Sequence, residues 1–76
     1  MDEKIIKHLI LEEKKMIWGN KAFIEVNEHF MKNEETKSGA MKGIAEAQNN
    51  IESSRRYLEV YKKFLANLKN EDRIYG

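Results

Sequence analysis

Apolar residues recur along this chain at intervals of seven. Between Ala40 and Leu68 two such lines run in parallel: Ile44, Ile51, Leu58 and Leu65, and Ala40, Ala47, Ser54, Tyr61 and Leu68. Nearer the start, Leu9, Met16, Phe23 and Phe30 form a third line and Ile10, Ile17, Ile24 and Met31 a fourth, with Ile5, Ile6 and Val26 beside them. A sustained seven-residue period marks helices laid against helices. The pattern predicts one helix over about 3–32 and a second over about 39–70. Between them, Lys32 to Gly39 holds no apolar residue and several turn formers, so 33–38 is the expected loop. The tail 71–76 is expected to fray. The fold class expected is all-α: a single-domain antiparallel hairpin spanning 1–76.

Asp2 is placed to cap the first helix, and Thr36 or Ser38 the second. The one irregularity is Trp18-Gly19-Asn20, which either kinks a single helix or divides it to give three. Both apolar lines run through it without slipping, which favours one helix. Acid-before-base pairs four residues apart, Glu3/Lys7, Glu28/Lys32, Glu52/Arg56 and Glu59/Lys63, support the exposed faces by about 0.2–0.5 kcal/mol each.

A turn centred near residues 35 and 36 sets residue i opposite 71 minus i. Phe30 then faces Ala40, Phe23 faces Ala47, Met16 faces Ser54 and Leu9 faces Tyr61, large against small along the whole length. Gly39 and Gly43 either admit the Phe rings or are loose residues at a helix start. If pairing uses one line from each helix, Ile10, Ile17, Ile24, Met31, Ile44, Ile51, Leu58 and Leu65 are left as a second apolar face. That is more than a monomer normally exposes. Covering it with a second copy predicts a homodimeric four-helix bundle; burial by a different protein is the competing expectation.

Composition sharpens this picture. A chain of 76 residues builds a marginal core, and without cysteine it has no disulfide or thiolate-metal staple, so oligomerisation is the expected supplement. Fourteen basic against thirteen acidic residues leave a net charge of +1, which advertises no nucleic-acid affinity by itself. The start of the chain lacks the character of a signal peptide and no apolar run approaches 18 residues, so a cytoplasmic protein without a membrane span is expected. Abundant Lys, Asn, Ile and Glu hint at an AT-rich bacterial or phage genome.

The candidate chemistry is thin. Glu13, Asn20 and Asn27 share a line with Ile6, and are read as lying at the solvent margin rather than as a buried polar ladder that sets dimer register. His8 and His29 each have a Glu four residues away but are too far apart to hold one metal ion, and are read as surface residues. The spacing of Glu25, Glu28, Glu71 and Asp72 resembles the acidic helices with which all-α nucleotide pyrophosphohydrolases hold magnesium. The remaining motif residues are missing, and a metal-dependent enzyme is the least supported reading. No phosphate loop or nucleophile constellation is present, so neither an enzyme nor a cofactor is expected.

Two surfaces remain. Lys14, Lys15, Arg55, Arg56, Lys62 and Lys63 would form a basic band for nucleic acid if the hairpin brings them together. Leu11, Trp18, Tyr57 and Phe64 flank the main stripes and are the expected partner-binding anchors. The function expected is therefore a non-enzymatic interaction module, a regulator or inhibitor docking a helical face onto a partner protein. A nucleic-acid-binding dimer is the alternative.

Overall fold

The computed structural model describes the backbone of residues 2–75 and the side chains of residues 2–70. Two helices, α1 (Glu3–Phe30) and α2 (Glu34–Tyr75), pack against each other as a hairpin 62 Å long and 13 to 15 Å across.

Asp2 caps α1 as its sequence position suggests. Its backbone is extended, and its carboxylate accepts from the Lys4 N–H at 3.2 Å while Glu3 favours the positive helix end. The helix runs through Gly19 without interruption. The turn is shorter than the predicted loop, only Met31, Lys32 and Asn33, and α2 starts at Glu34 because the cap sits earlier than expected. Asn33 supplies it, accepting from the Glu35 N–H at 3.0 Å, and two glutamates occupy the first turn. Thr36 does not cap; its hydroxyl reaches back across the turn to the Phe30 carbonyl at 2.6 Å and clasps the two helix ends. At the far end the helix continues to Tyr75 where a frayed tail from 71 was expected, no Gly or Pro intervening to stop it. Of the predicted ion pairs, Glu3/Lys7 closes at 3.1 Å and Glu52/Arg56 at 2.8 Å.

Among the described residues the buried ones are Ile6, Ala40, Ala47, Ile51, Ser54 and Leu58, five of the six from α2. Both heptad lines of α2 thus enter one seam. Along α1 and into the turn the less exposed positions are Glu3, Ile10, Ile17, Ile24 and Met31 alternating with Ile6, Glu13, Asn20 and Asn27, with Leu9 beside them at the open end. This corrects two expectations. The lines Ile10 to Met31 and Ile44 to Leu65 are not left over; they form the intramolecular seam. Knobs-into-holes packing consumes two lines per helix, spaced alternately by three and four residues, rather than one. Glu13, Asn20 and Asn27 enter that seam half-buried, further in than the solvent margin, with Asn20 and Asn27 also lining the grooves that border it. The Asn20 and Asn27 amides donate to the carbonyls of Met16 and Phe23 at 2.8 Å, and the Asn20 carbonyl accepts from the Asn50 amide of α2 at 3.3 Å.

The Asn20 to Asn50 bond pairs residue i with about 70 minus i, within one residue of the predicted height. The rotation of α1 differs. Leu9, Met16, Phe23 and Phe30 flank the seam instead of filling it, and Met16, Phe23 and Phe30 are each about half exposed. Gly43 does receive a Phe ring: a Cβ built on it would lie 3.2 Å from Phe23 Cε1. At Gly39 nothing lies within 4 Å.

Candidate interaction edges

The seam fixes what each remaining position does. With the Ile10 line as heptad a and the Ile6 line as d, positions g and c lie on one edge of α1, and e and b on the other. In α2, Ile44 begins the a line and Ala40 the d line, and antiparallel pairing brings g of one helix beside g of the other. The groove shared by Met16, Asn20 and Phe23 of α1 with Gly43, Ala47 and Asn50 of α2 is this g-to-g edge, and its continuation toward the turn lies between Phe30 and Gly39 and Ala40.

Eleven large apolar side chains among the described residues are more than 40% exposed, and eight belong to the g and c positions: Ile5, Met16, Phe23, Val26, Phe30, Tyr57, Val60 and Phe64. The charged residues at these positions from Ile5 to Asn67 are Glu12 and Glu46. Tyr57 is steadied there by stacking on the half-buried Tyr61, ring centroids 6.2 Å apart and planes 21° from parallel. This edge is the structure's uncovered apolar face, and it differs from the one predicted. The signal that identifies it is the polar Glu13, Asn20 and Asn27 line, which belongs to the seam and so turns the Leu9 line outward.

The opposite edge has another character. Its e positions are Lys7, Lys14, Lys21 and Glu28 on α1 and Glu34, Met41, Gln48, Arg55, Lys62 and Lys69 on α2, all exposed. In the observed register Lys14 stands near Arg55 and Lys7 near Lys62. Of the predicted basic band, Lys14, Arg55 and Lys62 share this edge. Lys15, Arg56 and Lys63 lie on the outward backs of the helices; Lys15 pairs with Glu12 at 3.5 Å and Arg56 with Glu52 at 2.8 Å. Lys7, Lys21 and Lys69 also stand on the basic edge, and reading adjacent Lys and Arg pairs as clusters missed them.

The four expected anchors are not brought together. Tyr57 and Phe64 lie on the apolar edge, whereas Leu11 and Trp18 occupy b positions on the basic side, where they line a shallow depression with Lys14 and Lys15. Trp18 is the most exposed large apolar residue described, at 80%. His8 approaches Glu12 at 3.9 Å, and His29 lies with Glu25, Glu28 and Lys32 in a surface dip. The side chains of Glu71 and Asp72 lie outside the described residues, and among those described no three His, Cys, Asp or Glu residues gather as a metal site. No helix is long and apolar enough to cross a membrane among the described residues. Comparison with protein-family models, curated proteins and solved structures returned no match.

Proposed function

We propose that this chain is a non-enzymatic protein–protein interaction module, a small regulator or inhibitor that assembles as a homodimeric four-helix bundle and docks a helical face onto a partner protein. The observation that carries the reading is the segregation of the two edges: one apolar and nearly free of charge, the other basic with a protruding tryptophan. A hairpin that buries so few large side chains gains by covering the apolar edge, which suits assembly. The Leu11 and Trp18 depression suits partner recognition, because an exposed Trp flanked by Lys14 and Lys15 combines an apolar anchor with a cationic rim. A partner surface with an apolar pocket bordered by carboxylates fits it.

Affinity capture with wild-type and Trp18→Ala baits tests this reading. A protein retained by the wild-type bait and lost at least tenfold with Trp18→Ala, while helicity is unchanged, supports it. Identical captures from the two baits end it. A second reading, nucleic-acid binding, is favoured by one observation: Lys7, Lys14, Lys21, Arg55 and Lys62 line a single edge.

A further inference from the structure

The identity of the molecule that covers the apolar edge follows from the shape of that edge, and the inference rests on reading the chain as an interaction module. We propose that the occupant is a second copy turned end for end, about a two-fold axis crossing the edge near its middle. Tyr57 and Phe64 of each copy then seat over Asn50 and Gly43 of the other.

The edge is not uniform along its length. From the open end toward the turn the α2 residues shrink, Phe64, Tyr57, Asn50, Gly43, Gly39, while α1 offers Leu9, Met16, Phe23 and Phe30, with Phe23 against Gly43 and Phe30 beside Gly39. Layers at the open end therefore present two large side chains, and layers near the turn one large and one small. The grooves lie where the small residues are, beside Gly43 and Asn50 and again beside Gly39. Two copies stacked with like ends together would lay α1 over the partner's α2, setting layers of two large side chains on each other at the open end and layers of one large and one small on each other near the turn. Close packing at constant helix spacing disfavours that arrangement.

End-for-end stacking gives every layer the same contents. Leu9 and Phe64 of one copy meet Phe23 and Gly43 of the other, Tyr57 meets Asn50, and the two Met16 side chains meet at the axis. The match is isologous, each copy supplying both knob and groove, as closed two-fold symmetry requires. Its size is also adequate. Eight side chains exposing roughly half their surface amount to on the order of 800 Å² per copy, the area of a standard stable interface. Between Ile5 and Asn67 only Glu12 and Glu46 carry charge on this edge, so that stretch offers little by which to recognise a charged partner.

The chain contains no cysteine, so single introduced thiols report the geometry directly. Ser53, exposed and midway between Asn50 and Tyr57, lies at the proposed axis. Ser53→Cys is expected to oxidise to a disulfide-linked dimer of unchanged helicity, while Lys63→Cys, on the back of the same helix, stays unlinked. Like-end stacking would place the two Ser53 positions on diagonally opposed helices, beyond disulfide reach. Failure of Ser53→Cys to link therefore overturns the end-for-end arrangement. By native mass spectrometry the wild type at micromolar concentration is expected at twice the protomer mass, and Tyr57→Glu with Phe64→Glu at one. A wild-type monomer overturns the second copy as occupant. It leaves the Trp18→Ala capture result standing, because Trp18 lies on the other edge.

Discussion

Gly19 and Gly43 lack a side chain in two different settings. A Cβ on Gly19 would meet nothing within 4 Å, whereas one on Gly43 would come within 3.2 Å of Phe23 Cε1 and 3.3 Å of Asn27 Oδ1. Inside a helix, alanine is favoured over glycine by about 1 kcal/mol. Gly19→Ala is expected to gain that stabilisation in full, about 4–8 °C in Tm for a chain of this size. Gly43→Ala gains the same propensity but must displace the Phe23 ring, so its Tm rises by clearly less or falls. Thermal melts at matched protein concentration decide it, and an equal rise in both variants would contradict the Phe23 contact. At this scale the Asp2 cap and the Glu3/Lys7 and Glu52/Arg56 pairs were legible in the sequence, because each depends on neighbours within one helical turn. The Asn33 cap was not, since Asn33, Thr36 and Ser38 are all competent caps and the choice among them depends on how the two helices meet.

The pairing of α1 with α2 was legible in its height and not in its rotation. Height follows from the turn and from the small residues of α2, and Asn20 meets Asn50 within one residue of the predicted register. Rotation depended on whether a stripe of Leu, Met and Phe or a stripe of Ile and Asn faces the partner helix, and hydrophobicity alone favours the first. The second prevails where Ala40, Ala47 and Ser54 bring the backbones close. The Asn20 and Asn27 amides each donate to a carbonyl of their own helix, and among the described residues no buried side-chain nitrogen or oxygen lacks a partner. Ala47, 2% exposed, marks how tight that approach is. Ala47→Leu is expected to overpack the seam and lower stability by about 1–3 kcal/mol. Urea titration followed by circular dichroism measures it, and an unchanged midpoint would mean that the helices are not in close contact at this layer.

For the whole molecule the consequence of that rotation is a division of labour between two edges, and it makes the nucleic-acid reading sharply testable. In the end-for-end bundle the apolar edges meet at the centre, so the rows containing Lys7, Lys14, Lys21, Arg55 and Lys62 face outward on opposite sides. Five cations of such a row engaging a duplex backbone would release counterions as they bind. The affinity would then fall with salt at a log–log slope of about −4 to −5. Lys14→Ala combined with Arg55→Ala would reduce that slope by about 2, because each contact contributes about 0.9. Fluorescence anisotropy on a random-sequence duplex across a salt series measures both quantities. Glu28, Glu25, Glu52 and Glu59 stand on or beside the same edge and work against phosphate. The expected outcome is accordingly weak binding with a slope shallower than −2, which would leave the basic edge as the rim around Trp18, where it favours a protein surface bearing carboxylates. A slope near −4 would reverse that assignment.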